Sequence, residues 1–531
     1  MCGILAYIKT QLILSKFTSN LKKIYHRGPN DSKTKIFEMN DIMLGFNRLI
    51  VNDQSTNATN YIQPMTIDNN VWMICDGDIF NHNTLQQKYN ITCNTNNSCE
   101  IILHLYSKLS FFNEVLSELD GEFAVVLFDH NKNKVFASRD RYGVRPLFFG
   151  QFNYTSGVGF GSELKSLCDF DHVRQVIPGI MMDIDTNKMT TIESSYKLYN
   201  THLVYCKQNK YISYEDDICT QINKTLKKAV EKRLTSDGHV CCLLSGGLDS
   251  SLIAALVAKH YPAFTLKTFS IGFKGSPDLY YANIVANHIK SIHHYIELSE
   301  GDFLNNIEKT IKMIESYDTT TVRAGVGNMM VAQFIKNNTD CKVVFNGEYS
   351  DEICGGYKYL NNAPDPFSFD TECKRLLSDN FYFDGLRSDR CISGNGLEAR
   401  VPFADNDFVE LYHSIPPELR MPTPYRIEKL LLRKAFEHEN LIPSKVLWRK
   451  KEAFSDGISK PEKSWHKTIQ KYIDTLVSDT ESLEFNNLSK EALYYKKIFD
   501  KMYFKYTDVI PYYWMPKWCG DIKDPSAREI I

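Results

Sequence analysis

The sequence predicts two successive folds, a β-rich α+β part and then an α/β part with a doubly wound parallel sheet. Short apolar runs, broken by glycine and asparagine, fill the first ~190 residues and are typical of strands. From Tyr214 onward, amphipathic helical patterns alternate with short apolar strands, which indicates a parallel sheet. Because 531 residues exceed what one hydrophobic core usually serves, we expect domains at 1–190 and 214–531, joined by a polar linker at 185–213.

In the first part, apolar or alternating runs predict strands, and one periodic run predicts a helix. The strands are expected at Ile42–Ile50, Val71–Cys75, Gly121–Phe128, Lys134–Ser138 and Leu147–Gly150. The helix is expected at Glu100–Leu109, where apolar residues recur with helical spacing.

In the second part, strands and helices are predicted in alternation. The strands are expected at Val240–Leu244, Lys267–Gly272, His293–Leu298 and Lys342–Phe345, and helices at Ser250–His260 and Leu279–His288. Beyond Arg375 the prediction is mostly helical. A parallel sheet that ends in a helical C-terminal part follows from this order.

Composition excludes several classes of function. With 43% apolar and 24% charged residues, the chain is ordinary globular protein. A net charge of −2 gives no reason to expect a nucleic acid or a membrane as partner, and no apolar run has the ~18 residues of a membrane span. The fourteen cysteines are scattered without zinc-type spacing, so we expect free thiols, no structural metal and a cytoplasmic location.

Cysteine at position 2 is the first candidate for chemistry. Removal of the initiator methionine would make Cys2 the first residue, with its thiol beside a free α-amine. Such an amine has a pKa of roughly 7.7–8.0 and can take the thiol proton, leaving a thiolate nucleophile. A cleaved leader would remove Cys2, so we expect no signal peptide. The alternative is that one cysteine of fourteen lies there by chance.

The segment Ser245–Ser251, which reads SGGLDSS, lies between a predicted strand and a predicted helix. Glycines let the backbone approach an anion, and a helix N-terminus presents N–H groups to it. Asp249 adds a carboxylate for Mg²⁺. The spacing is not that of a Walker loop but resembles the pyrophosphatase-type ATP loop, which holds β,γ-phosphates that leave together. A plain glycine turn with a capped helix is the alternative.

The terminal cysteine together with this loop resembles glutamine-dependent asparagine synthetases, which are class II amidotransferases. Further blocks similar to that family follow in its order from Met1 to about Arg528. They are His26–Asp31, Arg48-Leu49, Arg139–Leu147, Phe269–Gly272, Gly275–Leu279, Ser316–Ala324, Gly347–Glu352, Gly396–Phe403 and Trp448–Glu452. Several ordered blocks are far more specific than any one of them.

For the first part, the resemblance implies an N-terminal nucleophile αββα sandwich that hydrolyses glutamine. Cys2 would attack the side-chain amide and release ammonia, Arg48 would pair with the substrate carboxylate, and the N–H of Gly77 would hold the oxyanion. The residues implied to bind glutamine are Arg48, Val51, Asp76, Gly77, Asp78 and Ser98.

For the second part, the resemblance implies an ATP-pyrophosphatase domain in which aspartate is adenylated and ammonia displaces AMP. The nucleotide would be held by Leu244, Ser245, Gly246, Gly247, Asp249, Ser250, Ile271, Asn346 and Gly347. Asp249 and Asp351 would bind Mg²⁺. Glu348 would be the general base, while Arg323 and Lys451 would offset negative charge. Taken alone, Arg323 and Lys451 would more often be solvated surface charges, and Glu348, Asp351 and Glu352 would indicate the acidic start of a helix.

The first part departs from the family pattern in its glutamine pocket. Where the family has Asn-Gly-Glu, this chain has Asp76-Gly77-Asp78. Where the family has an aspartate that faces the α-ammonium of glutamine, this chain has Ser98. An ionised Asp76 cannot donate to an oxyanion, and losing one such donor costs roughly 10²–10³ in rate. We therefore hypothesise that glutamine is a poor nitrogen donor while free ammonia still supports synthesis.

Two further alternatives stay open from the sequence. A β-lactam synthetase shares this frame, although Cys2 and Glu348 argue against it. A non-catalytic regulatory relative is favoured by Asp76 and Ser98, but the intact phosphate loop argues against that. The expected partners are the small molecules aspartate, glutamine, ammonia and ATP, and a homodimer is expected only by analogy with the family.

Overall fold

The computed structural model describes residues 1–11, 13–51, 63–154, 156–196, 211–234, 239–460, 463–478, 489–522, 524–526 and 529. Within these ranges, no helix combines the length and the hydropathy that a membrane crossing requires. The two predicted folds occur in the predicted order, as two antiparallel sheets followed by one parallel sheet.

The first part contains two antiparallel sheets. Their strands are β1 (Gly3–Ile8), β2 (Asp31–Phe37), β3 (Ile42–Arg48), β4 (Met65–Thr66), β5 (Val71–Ile79), β6 (Gly121–Asp129), β7 (Lys134–Arg139), β8 (Phe148–Gln151), β9 (Val158–Gly161), β10 (His172–Gln175), β11 (Ile180–Asp185) and β12 (Thr190–Ser195). The first sheet has the order β10-β8-β9-β1-β3-β2 and the second β12-β11-β7-β6-β5-β4.

Strand β1 shows why the sheets stack. Ile4 and Ala6 pack against the second sheet, whereas the alternate residues Leu5 and Tyr7 pack on the opposite face. Both faces are therefore buried, and the strand is apolar without alternation. The sequence analysis did not predict β1, because an apolar run of this length lacks the period-two pattern of a half-buried strand.

Helices cover the two outer faces of the sheets. The helix Leu14–Lys23 packs through Phe17 and Leu21 on the first sheet. The helices His82–Tyr89, Glu100–Leu109 and Phe112–Glu118 pack on the second. This confirms the αββα sandwich, and the helix predicted at Glu100–Leu109 has the predicted bounds.

The second part is built on a parallel sheet. Its strands are β13 (His239–Leu243), β14 (Lys267–Phe273), β15 (Ile292–Leu298), β16 (Cys341–Phe345) and β17 (Glu398–Arg400), in the order β15-β14-β13-β16-β17. Each neighbouring pair is parallel. The reversal of direction at β13 is the topological switch point of a doubly wound sheet. The short strand β17 lies in the region predicted to be mostly helical.

Helices make up most of the remaining second part. Their bounds are Tyr211–Lys232, Leu248–Ala258, Pro277–His288, Glu300–Ile314, Thr319–Asn338, Ser350–Cys354, Pro366–Asp379, Asp384–Ser393, Asn406–Ser414, Pro417–Arg420, Leu430–Phe436, Ser444–Leu447, Phe454–Gly457, Trp465–Asp474 and Lys490–Tyr503. The helix predicted at Ser250–His260 begins two residues earlier, at Leu248.

The predicted linker is wrong at its N-terminal end. Residues Thr190–Ser195 form β12, which pairs with β11 along its length. A helix begins at Tyr211, and residues 197–210 lie outside the described ranges. Polar composition misled the prediction, because β12 is an edge strand whose side chains are mostly exposed.

Candidate active sites

Two cavities in the described part of the chain gather the predicted site residues, and the larger of these two lies at the carboxyl ends of the parallel strands, as expected for an open α/β sheet. It has a volume of about 220 Å³. Sequence-predicted residues that line it are Leu244, Ser245, Gly247, Asp249, Ser250, Ile271, Arg323, Asn346, Gly347, Glu348, Asp351 and Lys451. Gly246, also predicted to bind the nucleotide, is instead packed against the helix Pro277–His288. A Cβ there would lie 2.4 Å from the Ala282 nitrogen.

The phosphate loop connects β13 to the helix Leu248–Ala258. The Ser245 N–H donates to Ser250 Oγ at 3.1 Å, and the two hydroxyl oxygens are 2.9 Å apart. The loop after β16 comes so close that a Cβ on Gly347 would lie 2.7 Å from the Ser250 nitrogen. Only glycine permits this approach, which gives the cavity wall the exposed backbone that an anion site needs.

Two lysines, the buried Lys429 and the partly exposed Lys451, hold the carboxylates predicted to bind metal. Lys429 Nζ lies 2.7 Å from Asp249 Oδ1 and 2.5 Å from Asp351 Oδ1. Lys451 Nζ lies 2.5 Å from Asp351 Oδ2. Burial would raise the pKa of the Asp351 carboxyl, but the two ammonium groups outweigh it and hold that pKa well below its usual range. The sequence analysis missed Lys429, which belongs to none of the matching blocks.

The predicted general base Glu348 is paired with an arginine. Arg387 Nη2 donates to both carboxylate oxygens of Glu348, at 2.9 and 2.8 Å, and its Nη1 binds Asp384 Oδ1 at 2.5 Å. Burial raises the pKa of Glu348 even though the Arg387 guanidinium acts against it. A raised pKa suits a carboxylate that must accept a proton near neutral pH.

Arg323 contacts other groups than the prediction implied. Its guanidinium makes hydrogen bonds of 2.6 and 2.8 Å to Glu491 and of 2.7 and 2.9 Å to Asp524. Two carboxylates from the C-terminal part therefore occupy its donors, so in this geometry Arg323 positions the C-terminal segment at the cavity wall. Its predicted role of offsetting negative charge stays a prediction.

The smaller cavity, of about 80 Å³, lies at the end of β5 and gathers the residues predicted to act on glutamine. The predicted residues that line it are Cys2, Arg48, Val51, Asp76, Gly77, Asp78 and Ser98. Two residues that the sequence analysis placed in neither pocket, Glu398 and Arg400 of β17, complete the lining. The second part of the chain therefore contributes side chains to this pocket.

Cys2 and Asp76 are in direct contact. The backbone N–H of Cys2 donates to Asp76 Oδ1 at 2.7 Å. The buried Arg27 binds Asp76 Oδ2 at 3.1 Å and donates from Nε to the Cys2 carbonyl at 2.8 Å. Burial raises the pKa of the Cys2 thiol to about 12, and the Asp76 carboxylate adds to that shift. Arg27 lies in a matching block, but no chemistry was predicted for it.

Gly77 and Ser98 shape the rest of this pocket. Gly77 has φ +152°, and a Cβ there would lie 2.1 Å from the Glu122 carbonyl oxygen. The Ser98 hydroxyl donates to Asp78 Oδ1 and accepts the Ile79 N–H at 3.0 Å. Arg400 Nη2 lies 3.4 Å from Asp78 Oδ2. The carboxylate nearest the substituted position 98 is therefore Asp78.

A group of potential metal ligands lies behind the same pocket. One ligand atom each from Cys93, Glu100 and His104 lie within 4.8 Å of one another. The Glu100 carboxylate already accepts the N–H groups of Asn94 and Thr95, at 2.7 and 2.8 Å. Glu100 thereby supports the loop that carries Ser98.

The strand β17 connects the two cavities. The side chain of Arg400 lines the smaller cavity, while its carbonyl oxygen accepts the N–H of Asn346 at 3.2 Å. Asn346 lines the larger cavity. Arg145 of the first part reaches the same strand and donates to the Ala399 carbonyl at 3.2 Å. One strand therefore links the two cavities: it lines the smaller and hydrogen-bonds a residue of the larger.

Comparison with known proteins identifies related families and relatives. The family profile "Glutamine amidotransferase domain" matches residues 1–214, and "Asparagine synthase" matches residues 221–372 and 367–520. The "Probable asparagine synthetase [glutamine-hydrolyzing]" of Acanthamoeba polyphaga mimivirus is 40% identical, over 99% of both chains. The asparagine synthetases of Cricetulus griseus and Homo sapiens, both named glutamine-hydrolyzing, are each 38% identical over 100% of this chain and 98% of theirs.

Proposed function

The chain belongs to the family of glutamine-hydrolysing asparagine synthetases, and we propose that it converts aspartate, ATP and glutamine to asparagine, AMP and pyrophosphate through β-aspartyl-AMP. The observation that carries this proposal is a pair of cavities, one around Cys2 and one around the phosphate loop, connected by β17, which lines the first and hydrogen-bonds Asn346 of the second. Residues 1–190 would release ammonia and residues 214–531 would use it.

In the smaller cavity, Cys2 would be the nucleophile once Met1 is removed. Its new α-amine would take the thiol proton, and the sulfur would attack the amide carbon of glutamine. Arg48 would bind the substrate carboxylate, Asp78 would face the substrate ammonium group, and the Gly77 N–H would hold the oxyanion. Ammonia leaves, and water then hydrolyses the thioester to glutamate.

In the larger cavity, the β-carboxylate of aspartate would attack the α-phosphorus of ATP and release pyrophosphate. Ammonia would then attack the acyl carbon and release AMP, with Glu348 taking a proton from the attacking nitrogen. The oxygens of Asp249 and Asp351 are hard ligands that suit Mg²⁺, and a cationic group lies between them in this geometry. Asp249 and Asp351 would hold Mg²⁺, which would supply positive charge against the departing pyrophosphate.

The comparisons support neither of the two alternative functions, a β-lactam synthetase or a non-catalytic regulatory protein. The relatives from mimivirus, Cricetulus griseus and Homo sapiens carry the name asparagine synthetase, and none carries the name of a β-lactam synthetase or a regulator. A homodimer and a cytoplasmic location stay predictions.

The test is product analysis with purified protein, aspartate and Mg·ATP, with either glutamine or ammonium chloride as nitrogen source. We expect asparagine, AMP and pyrophosphate in equal amounts. Formation of ADP and phosphate, or the absence of pyrophosphate with both nitrogen sources, would contradict the proposal. Mass spectrometry of the N-terminus checks the premise that the mature chain begins at Cys2.

A further inference from the structure

A pair of acidic side chains in the larger cavity has no role in the reaction described above. Glu352 and Asp384 both line that cavity and lie on either side of one hydroxyl group. The Tyr357 oxygen is 2.7 Å from Glu352 Oε1 and 3.1 Å from Asp384 Oδ2. A phenol has a single proton to donate, so it cannot satisfy both carboxylates at once.

The cationic side chains near Glu352 and Asp384 do not balance the two negative charges of the pair. Arg387 binds the outer oxygen of Asp384, but it also pairs with Glu348. Glu352 is only 4% exposed, and no lysine, arginine or histidine in the described part of the chain forms an ion pair with it. A buried carboxylate of this kind is costly unless a cation compensates it. The pair therefore offers a place for a positively charged group from a ligand.

The same cavity also contains a side-chain amide, that of Asn380, whose N–H groups lack an acceptor among the described residues. Asn380 is 2% exposed and lines the cavity. Its Oδ1 accepts the Gly385 N–H at 3.1 Å, whereas its Nδ2 makes no hydrogen bond within the described ranges. Buried polar atoms nearly always have a partner, so this donor indicates an acceptor group on the ligand. An acid pair beside an amide donor matches the ammonium and carboxylate of an α-amino acid.

We propose that Glu352 and Asp384 bind the α-ammonium group of the aspartate substrate and that Asn380 donates to its α-carboxylate. This rests on the proposed function and identifies how the synthetase site chooses its acid. Arg387 contacts both Asp384 and the base Glu348, so the acid pair lies next to the position where the β-carboxylate must react. A dicarboxylic acid without an amino group would leave the pair uncompensated.

The test uses ATP–pyrophosphate exchange, which reports adenylation without any nitrogen source. The variants Glu352→Gln and Asp384→Asn keep side-chain size and remove charge. We expect each to raise the KM for aspartate by about 10- to 100-fold, the range for a lost hydrogen bond to a charged group, with the KM for ATP changed less than twofold. Asn380→Ala should raise the aspartate KM by about 3- to 10-fold, since a neutral donor is lost.

Asp379→Asn is the matched control, because Asp379 lines the same cavity but pairs with Arg375 and Tyr512. It should leave the aspartate KM within twofold. A rise in the aspartate KM for Asp379→Asn but not for Asp384→Asn would overturn the assignment. Tyr357→Phe keeps both carboxylates and provides a milder variant, with an expected rise of about threefold.

Inhibition by succinate separates recognition from a structural role. The wild type should bind succinate much more weakly than aspartate, whereas Glu352→Gln and Asp384→Asn should reduce that preference at least tenfold. An unchanged preference, or a shift confined to the Mg²⁺ or ATP dependence, would overturn the proposal. If the wild type itself shows no exchange with aspartate, the proposed function fails; normal wild-type exchange with unaltered variants refutes only this assignment.

Discussion

The two cavities differ in how much of the chain each one needs. Every described residue lining the larger cavity comes from position 243 or later. The smaller cavity combines first-part residues with Glu398 and Arg400 of β17. Its carboxylate Asp76 is held by Arg27, which is bound in turn by Asp389 of the second part. The proposed glutamine site is therefore completed by the second part of the chain, whereas the described lining of the proposed ATP site comes from that part alone.

This asymmetry has a consequence for how the two activities can be separated. Changes in the first part should alter glutamine use and leave ammonia-dependent synthesis intact, because no first-part side chain lines the described ATP cavity. Changes in β17 can affect the glutamine site from the other fold.

Substitution Cys2→Ala should abolish synthesis from glutamine and leave synthesis from ammonia unchanged. Losing the nucleophile removes the covalent step, so we expect a fall of about 10³-fold or more in kcat with glutamine. Parallel steady-state assays with the two nitrogen donors measure this. An equal loss with ammonia would show that the cavities are not separable.

Substitution Asp76→Asn tests the hypothesis that glutamine is a poor donor for this chain. It replaces a carboxylate by a hydrogen-bond donor and should raise kcat/KM for glutamine by about 10- to 100-fold, less than the roughly 10²–10³ of a full oxyanion donor, because Arg27 loses a charged partner. Ammonia-dependent rates should stay constant. Ser98→Asp is the companion variant, and a lower glutamine kcat/KM for Asp76→Asn would reject the hypothesis.

Substitution Arg400→Lys tests whether the second part completes the glutamine site. The charge is kept, but the planar guanidinium that spans Glu398 and Asp78 is lost. We expect the KM for glutamine to rise about tenfold while the KM for ATP stays the same. Thermal unfolding serves as the control for a global effect. If the KM for ATP changed and the KM for glutamine did not, Arg400 would belong functionally to the ATP site and not to the glutamine site.

The pH dependence of glutamine use gives the smallest expected effect. Burial and then the Asp76 carboxylate raise the pKa of the Cys2 thiol, so the thiolate becomes more populated as pH rises. Removing the negative charge in Asp76→Asn lowers that pKa and should move the rising limb of the kcat/KM profile to lower pH by about one unit. A profile that does not move, measured by glutamate release, would show that Asp76 does not influence the nucleophile.

The structure confirmed several elements that local sequence patterns had predicted. The helix Glu100–Leu109 was predicted at its observed bounds. Strands such as β6 and β14 were predicted within one residue of their ends, because their apolar side chains follow one another along the chain. Among the strands that were missed, β1 and β12 show opposite reasons: β1 is buried on both faces, and β12 is mostly exposed. Neither carries the half-buried alternation that identifies a strand.

The sequence alone determined the order of the two folds and identified Cys2 as the candidate nucleophile and Ser245–Ser251 as the candidate phosphate loop, because each depends on neighbouring residues. Only the tertiary structure decided which charged side chains form ion pairs with one another. Lys429 lies 180 positions from Asp249, and Arg400 lies 322 positions from Asp78. Such pairs leave no periodic signal, since burial and electrostatic compensation act between side chains that the fold alone brings within a few ångströms.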